Sequence, residues 1–515
     1  MRGVFGVGFI GSLAAVMIAV AAGGSGPARA STADVTPAPA ATAAAGSAVV
    51  PAPSTGRLAS GTTPGWMSVG GIPFRFRAFP LRVRELTVSE RPFYGSRVIP
   101  KVDSGLHDAD GVRMRRVRGQ LYEFPRGQAS YGLDNLNAYR LTGDQFYLDR
   151  ALAQANRLLS YHDEGGEAWY YPNYPSKYRH GRPGEFIQAP YYSALPQGRI
   201  LMLFARLAEM TGSSKWSDAA RHTFLAFLRP GPRRGPYFVD LDSHGYYWLQ
   251  EWPWAGMQPD CTLNGHNSSS FGLFDYYLST GDERAKALFQ AAATTIKHYL
   301  PQFRRRGWIS CYCLAHRGAH PTYHNMHVGQ LLALYRMTGD VCFARAADAF
   351  SNDYPKPDVR GGLRVEPGTY NLVRVGASGT VTARRTIVVT RTSTWRATSR
   401  KRLWRGSPIF LRASTGRAAG WWIPEREGRV RLIGFAAAHS YSPPRTLTVA
   451  AGVTCVAVAF DARGHVTSKQ RVEAGDGLRL AADRRAVVDG YARVRLDGGE
   501  LDGYWLRLRR GVRLR

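Results

Sequence analysis

The middle of the chain carries four pairs of segments in which hydrophobic residues recur at helical spacing. One example is GRILMLFARLAEM, which ends at residue 210, and its partner SKWSDAARHTFLAFL begins at residue 214. A short turn signal joins the two segments of each pair, at residues 141–144, 210–213, 279–282 and 337–340. Its glycine accepts the left-handed conformation that ends a helix, and the Asp or Ser that follows caps the next one. The pattern therefore predicts four antiparallel helix hairpins.

The connections between these hairpins are long and rich in aromatic residues. Examples are EAWYYPNYPSKY at 167–178 and HGYYWLQEWPW at 244–254. Repeated helix pairs build either an open solenoid or a closed α/α toroid. We favour the toroid over residues 126–358, with the aromatic loops around a sugar-binding cleft. The alternative is that these loops only bury aromatic surface between hairpins.

Alternation of polar and apolar positions predicts strands on both sides of the helical part. Residues 65–125 contain runs such as FRFRAFPLRVREL, which indicate an N-terminal extended or β segment. Residues 359–515 contain runs such as ARRTIVVTRTSTW and TLTVAAGVTCVAVAF, separated by turn residues. We interpret them as a C-terminal β-sandwich-like domain. The predicted fold is therefore mainly α with β, an α/α toroid followed by a β-rich domain.

The N-terminus has the pattern of an export signal. Arg2 precedes an apolar run of small residues, and Ala28-Arg29-Ala30 offers a cleavage site, so residues 1–30 are predicted to be a signal peptide. Residues 31–64 are rich in Ala and Pro and indicate a linker. We expect a secreted or cell-surface protein with no stable membrane span after processing. An uncleaved anchor is the alternative, although the run is weakly hydrophobic for a stable span.

Charge changes the picture, because the formal net charge is +30. Such a charge suits a polyanionic partner, namely acidic polysaccharide, nucleic acid or an anionic surface, or it merely solvates the surface. Signatures of nucleic-acid-binding modules are missing, so we expect no nucleic acid partner. The chain also lacks a nucleotide-binding glycine motif, and we predict no cofactor. Five cysteines are too few for a disulfide scaffold, and no telling ligand spacing is present, so we predict no metal site.

Three sequence blocks and one further tyrosine stand out in the helical part. They are PYYSALPQG at 190–198, EWP at 251–253 followed by LNG at 263–265, and YHNMHVGQL at 323–331. In this order they resemble blocks of the C-terminal catalytic region of the D-glucuronyl C5-epimerases, P-W-Y-S-A-M-A-Q-G, E-Y-P…L-N-G and Y-H-x-x-H-x-x-Q-L. Tyr312 is similarly placed to the tyrosine of that family's I-Y-D-L-R-H block. The resemblance covers roughly residues 130–350.

The resemblance implies an α/α toroid and an isomerase that converts glucuronate into iduronate within heparosan-type chains. The chain departs from the family pattern at three places. Trp252 stands where the family has a tyrosine, Ala315 stands where it has an arginine, and two extra residues lie between Glu251 and Leu263. We expect these departures to affect the choice of substrate and the proton relay, and to leave the fold unchanged.

C5 epimerisation removes a proton next to a carboxylate and returns one to the opposite face of the sugar. It needs two proton-exchanging groups and partners for the negative charge that develops. We predict that Tyr323 and Glu251 are these groups and that Tyr312 is a third phenol beside Tyr323. Adjacent imidazoles are expected to lower the pKa of Tyr323, and Trp252 and Trp254 to raise the pKa of Glu251 by desolvation.

Further polar and aromatic side chains of the same blocks are predicted to contact substrate. They are His324, His327, Trp252, Asn264, Gln197, Tyr192 and His316. Two other functions remain open. A uronate polysaccharide lyase begins with the same proton abstraction, and a decayed site would leave a glycan-binding protein.

Overall fold

The computed structural model describes residues 64–232, 235–377 and 379–515. The predicted signal peptide and linker, apart from residue 64, lie outside the described residues. Among the residues described, no helix is both long enough and apolar enough to cross a membrane.

Eight helices form four successive hairpins in the middle of the chain. They are α1 (Pro125–Thr142), α2 (Gln145–Ser160), α3 (Ala194–Thr211), α4 (Ser214–Leu225), α5 (Leu263–Thr280), α6 (Glu283–Phe303), α7 (Pro321–Thr338) and α8 (Val341–Asp353). Helices α1, α3, α5 and α7 pack against one another in that order, and each also packs against its own hairpin partner. The hairpins therefore form an ordered row with an inner and an outer layer. Closure of this row into a toroid stays a prediction.

The turns of the hairpins follow the rule read from the sequence. The glycine after each inner helix is left-handed in all four turns, at Gly143, Gly212, Gly281 and Gly339. An aspartate then caps the outer helix in three of them, at Asp144, Asp282 and Asp340. Ser213 takes the same place in the remaining turn, and no cap hydrogen bond of its side chain is found in the described part of the chain.

The inner helices run parallel and approach most closely between α3 and α5. A Cβ atom on Gly198 would lie 2.4 Å from the Ser269 backbone, and one on Gly272 would lie 2.2 Å from the Gly198 carbonyl oxygen. Farther along the same two helices, Arg206 Nε donates a hydrogen bond to Asp275 Oδ2 at a distance of 2.5 Å. Early positions of α3 thus face early positions of α5, and the N-terminal ends of the two helices lie on the same side.

Short antiparallel strand pairs occupy the N-terminal segment and the connections between hairpins. The N-terminal pairs are β1 (Gly65–Met67) with β2 (Phe76–Ala78) and β3 (Met114–Val117) with β4 (Gln120–Glu123). The connecting pairs are β5 (Asp163–Gly165) with β6 (Ala168–Tyr170), β7 (Lys177–Tyr178) with β8 (Phe186–Ile187), and β9 (Val239–Leu241) with β10 (Tyr247–Leu249).

Fourteen strands form two seven-stranded antiparallel sheets in the C-terminal part. The first contains β11 (Asp358–Val365), β12 (Gly368–Val375), β13 (Val381–Val389), β14 (Ser393–Arg402), β15 (Ile409–Ala413), β16 (Trp422–Pro424) and β17 (Val430–Ile433). The second contains β18 (Phe435–Val449), β19 (Val453–Phe460), β20 (Val466–Ala474), β21 (Leu478–Val488), β22 (Tyr491–Leu496), β23 (Trp505–Arg507) and β24 (Val512–Leu514).

The two sheets share one topology. Their orders are β13-β12-β16-β15-β14-β11-β17 and β20-β19-β23-β22-β21-β18-β24, so each strand has a counterpart at the same place in the other sheet. Each sheet also encloses its own hydrophobic core, around Leu363 and Leu411 in the first and Leu447 and Leu506 in the second. The β-rich region is as predicted, and it consists of two similar sheets; its sandwich-like arrangement stays a prediction. Alternation predicts strands and not their partners.

The second sheet is attached to the last helix by a buried ionic cluster. Asp348 of α8 accepts hydrogen bonds from His439 Nε2, Tyr441 Oη and Arg445 Nη1, all on β18, at 2.7–2.8 Å. Burial alone would raise the pKa of Asp348, yet these partners and the Arg485 guanidinium lower it to about 2. The carboxylate therefore stays ionised and connects the β-rich part to the helices.

Candidate active site

Glu251 lies just after β10, against the first turn of α5. A Cβ atom at Gly265 would lie 2.6 Å from Glu251 Oε2, so the glycine is what lets the carboxylate approach the helix start. Unpaired N–H groups and the dipole at a helix N-terminus favour a negative charge there. Glu251 is only 7% exposed. The sequence E-W-P…L-N-G thus places a buried carboxylate on a helix start.

Tyr312 binds that carboxylate directly. Its phenol donates to Glu251 Oε2 at 2.8 Å, and Trp252 Nε1 donates to the same phenol oxygen at 3.3 Å. The backbone holds Tyr312 in place, because its carbonyl oxygen accepts from Leu263 N at 3.0 Å. Trp252, where the resembled family has tyrosine, is therefore a hydrogen-bond donor to the site.

Tyr323 completes a row of three groups. It lies in the first turn of α7, which begins with Pro321, and its ring centroid is 4.5 Å from that of Tyr312. Tyr323 is half-buried, whereas Glu251 is buried. The structure thus brings together the three residues predicted to be catalytic, in the order Glu251, Tyr312, Tyr323, which we call the acid–phenol row.

Burial dominates the electrostatics of this row. It raises the pKa of Glu251, while the Tyr312 hydrogen bond and the charges of Lys177 and Arg126 reduce the rise. Burial and the Glu251 carboxylate raise the pKa of Tyr312 well above its usual value. The same two causes raise the pKa of Tyr323, and Arg126 opposes them. Our expectation that imidazoles lower the pKa of Tyr323 is therefore wrong.

Lys177 is a site residue that the sequence reasoning missed. Its ammonium lies 2.9 Å from the centroid of the Trp252 ring and 5.1 Å from that of Tyr191. Burial lowers the pKa of Lys177 to about 7, with Glu251 acting in the opposite direction and Arg115 and Arg126 adding to the fall. The available signal was a single lysine within the aromatic connection at 167–178.

His324 and His327 do not reach the acid–phenol row. His324 Nδ1 accepts from Ser310 N at 3.0 Å, and its Nε2 lies 3.0 Å from the carbonyl oxygen of Phe350. His327 Nδ1 lies 2.9 Å from Ser310 Oγ. Burial lowers the pKa of His324 to about 4 and that of His327 well below its usual value. One turn of α7 thus directs Tyr323 to the site and both imidazoles into the core, which corrects their predicted contact with substrate.

Three other residues that were predicted to contact substrate instead contact other parts of the protein or are buried. Gln197 is buried, and its amide donates to the carbonyls of Trp169 and Thr223. Tyr192 donates to Asp163 Oδ2 at 2.6 Å, and its neighbour Tyr191 faces Trp252 instead. Asn264 is buried at the start of α5. Successive side chains of an extended chain point to opposite sides, which explains why Tyr191 and not Tyr192 faces the site.

His316 belongs to a separate polar group beside the row. His180, Asp260, Cys313 and His316 each offer one ligand-type atom, and these atoms lie within 4.8 Å of one another. The ring of His180 is 5.3 Å from that of Tyr312, edge to face. Sequence reasoning missed this group because its members come from three distant loops. Only the pair Cys313 and His316, three residues apart, was a local signal.

Comparison with known proteins shows that the segment containing the site is similar to one family. Residues 169–352 match the family model described as the D-glucuronyl C5-epimerase C-terminus. Over 153 residues the chain is 28% identical to the uncharacterized protein MJ1128 of Methanocaldococcus jannaschii, a match that covers 30% of this chain. The match spans about half of that relative, 49% of its length.

Two solved structures show weak likeness. Cellobiose 2-epimerase from Bacillus thermoamylovorans is 13% identical with a TM-score of 0.35, over 44% of this chain and 58% of that one. Unsaturated glucuronyl hydrolase from Streptococcus agalactiae is 16% identical with a TM-score of 0.32, over 44% and 58%. At these TM-scores neither likeness extends to activity or residue roles.

The family match includes Glu251, Tyr312 and Tyr323, and it supports a carbohydrate epimerase-like function. It confirms the resemblance first read from the sequence blocks. Residues 169–352 of this chain are therefore similar to the C-terminus of the D-glucuronyl C5-epimerases.

Proposed function

We propose that this protein is a uronyl C5-epimerase that converts D-glucuronate units of an acidic polysaccharide into L-iduronate. The observation that carries the proposal is the 2.8 Å hydrogen bond from Tyr312 to Glu251, with the Tyr323 ring packed against the ring of Tyr312. All three residues lie in the segment that matches the epimerase family. The export signal predicted from the sequence and the net charge of +30 support action on an anionic polymer outside the cell.

Glu251 is the better base of the row. Burial raises the pKa of its carboxyl group, and a higher pKa makes the carboxylate a stronger base. The phenol of Tyr323 has a raised pKa and keeps its proton, so it suits the role of acid. In the proposed reaction Glu251 removes the C5 proton from one face, and Tyr323 returns a proton to the other. Tyr312 stabilises the ionised Glu251 before the transfer.

Positive charge beside the row would bind the uronate carboxylate. Lys177 lies over Trp252, and Lys177 and Arg126 both act on the charge of Glu251. A cation held there stabilises the enediolate that forms when the C5 proton leaves. The rings of Tyr191 and Trp252 both lie next to the ammonium, and their faces could border a sugar ring. Closure of the hairpins into a toroid would surround this cleft with the aromatic loops.

The decisive experiment is incubation of the protein with glucuronate-containing glycans in deuterium oxide, followed by proton NMR. We expect deuterium at C5 and new iduronate signals with no change in chain length. Glu251→Gln is the matched control and should abolish the exchange. Unsaturated ends that absorb in the ultraviolet would instead identify a lyase, and glycan binding without exchange would identify a binding protein.

A further inference from the structure

A compact group of metal-binding side chains lies next to the acid–phenol row and takes no part in the proposed proton transfer. His180 Nε2 is 2.7 Å from one oxygen of Asp260, and His316 Nδ1 is 3.1 Å from the other. Cys313 Sγ is 3.5 Å from His316 Nδ1. We propose that His180, Asp260, Cys313 and His316 bind one divalent transition-metal ion, with Zn²⁺ the best match to the ligands.

The spacing suits a tetrahedral ion. Zinc binds nitrogen and oxygen at about 2.0–2.2 Å and sulfur at about 2.3 Å, so its ligand atoms lie about 3.3–3.8 Å apart. The four ligand atoms of the group all lie within 4.8 Å of one another. The closest pair is His180 Nε2 and Asp260 Oδ2, and the distance between these two atoms must increase by about 1 Å. Small side-chain rotations therefore suffice to admit the ion.

A carboxylate behind one imidazole sets its orientation. His316 Nε2 lies 2.7 Å from Glu185 Oε1, which leaves Nδ1 directed at Asp260 and Cys313. Glu185 is itself held by Arg179, whose Nε donates to Oε2 at 2.5 Å. A carboxylate–histidine pair of this kind fixes the tautomer of metal-binding imidazoles. Because the ring is already turned toward the group, binding requires little reorganisation.

The ligand set also identifies the class of ion. A thiolate and two imidazoles favour zinc and similar transition metals, while calcium and magnesium prefer oxygen ligands alone. A divalent ion would balance the charges of the Asp260 carboxylate and a Cys313 thiolate, both fully buried. The neutral assembly is compatible with burial, since an unbalanced buried charge is costly. Four protein ligands would leave no open coordination position, which is typical of structural zinc.

The ion would connect three loops that build the active site. Cys313 directly follows Tyr312 and pairs as an isolated β-bridge with Thr262, at the start of α5. Asp260 precedes the same helix, and His180 lies in the connection that also carries Lys177. The metal would therefore hold Tyr312 in position from behind without touching substrate. The proposal stands apart from the epimerase activity, because metal binding can be measured without it.

The test begins with the full chain purified without chelators and equilibrated with micromolar zinc. After removal of free metal, we expect about one zinc ion per chain, as for a four-ligand structural site. Stripping with a chelator should lower the melting temperature, and zinc should restore it. In the cobalt-substituted protein, a thiolate-to-cobalt charge-transfer band should appear. Failure to retain zinc, or a cobalt form without the thiolate band, would overturn the proposal.

Paired variants assign the site to these residues. Cys313→Ser and His316→Ala should reduce zinc retention and abolish the chelator effect on the melting temperature. The control is Cys342→Ser, which alters a partly buried cysteine outside the group and should retain zinc like the parent chain. Equal zinc retention and an unchanged thiolate band in Cys313→Ser would place the metal elsewhere. If the variants do not fold, the cobalt spectrum of the parent chain decides the matter.

Discussion

The two ends of the inner helices are built by different rules. At the C-terminal ends, one short turn recurs four times, and each turn depends on residues next to one another in sequence. At the N-terminal ends of α5 and α7, the contacts join residues far apart, such as Glu251 with Tyr312. The first end is repeated and serves stability. The second is not repeated among the described residues and carries the proposed chemistry. Mutations at the two ends should therefore separate activity from stability.

The largest effect is expected at the chemical end. Tyr312→Phe removes the hydrogen bond to Glu251, and Glu251→Gln removes the proposed base. Each should lower kcat/KM by about 10²–10⁴-fold, the range that general acid–base groups contribute. The deuterium exchange assay measures this loss, and the melting temperature should change little. Tyr277→Phe, near the opposite end of α5, is the control and should leave exchange unchanged. A fully active Tyr312→Phe variant would contradict the assigned row.

The next largest effect lies between the two ends, at the ion pair of Arg206 and Asp275. Both side chains are buried, with 1% and 0% exposure. Asp275→Asn leaves the guanidinium without its carboxylate, and loss of one partner of a buried pair costs about 3–5 kcal/mol. Urea denaturation should show this destabilisation. Glu283→Gln, which breaks an exposed pair with Lys286, is the control and should have little effect. Equal stability of the two variants would refute the role of burial.

A smaller effect at the chemical end concerns pH. The pKa of Lys177 is about 7, so its positive charge is present below that pH and is lost as the pH rises through it. KM for the anionic glycan should therefore rise by about tenfold above neutrality, the change that ~1.4 kcal/mol of lost interaction gives. Lys177→Arg keeps the charge and should extend tight binding to higher pH. A pH profile identical to that of the parent chain would argue against this role.

The smallest effect is expected at the turn end. Asp282→Ala removes the cap that accepts from Arg284 N at 2.9 Å and should cost about 1 kcal/mol of stability. Ser213 holds the equivalent place without a cap bond in the described part of the chain, so Ser213→Ala should have almost no effect. Denaturation midpoints of the two variants provide the comparison, and epimerisation should persist in both. Equal losses in both variants would show that the cap is not the cause.

This contrast also explains what the sequence could predict. Helix ends and caps follow from neighbouring residues, so all four hairpins were predictable. Glu251, Tyr312 and Tyr323 were found through sequence blocks, while the direction of each side chain was not. His324 follows Tyr323 directly, yet it bonds to Ser310 in the core. Lys177 gains its role only from the burial and the aromatic rings that the fold supplies.

The remaining surprises depend on contacts between distant segments. Strand alternation showed that the C-terminal region is β-rich, but the pairing of strands into two sheets with one common order depends on the whole chain. The group around Asp260 likewise assembles from loops more than fifty residues apart, such as those of Cys313 and His180. The pattern of neighbouring residues in the sequence does not show which distant segments come into contact.

The close approach of α3 and α5 has a consequence for substrate choice. Gly198 and Gly272 leave no space for a side chain, so the two helix backbones touch at these positions. A methyl group at either position would push the helices apart, and the loops at their N-terminal ends would separate with them. The distance between Tyr191, just before α3, and Glu251, which lies against the first turn of α5, would then increase. The width of the proposed substrate groove would thus depend on two glycines that lie outside it.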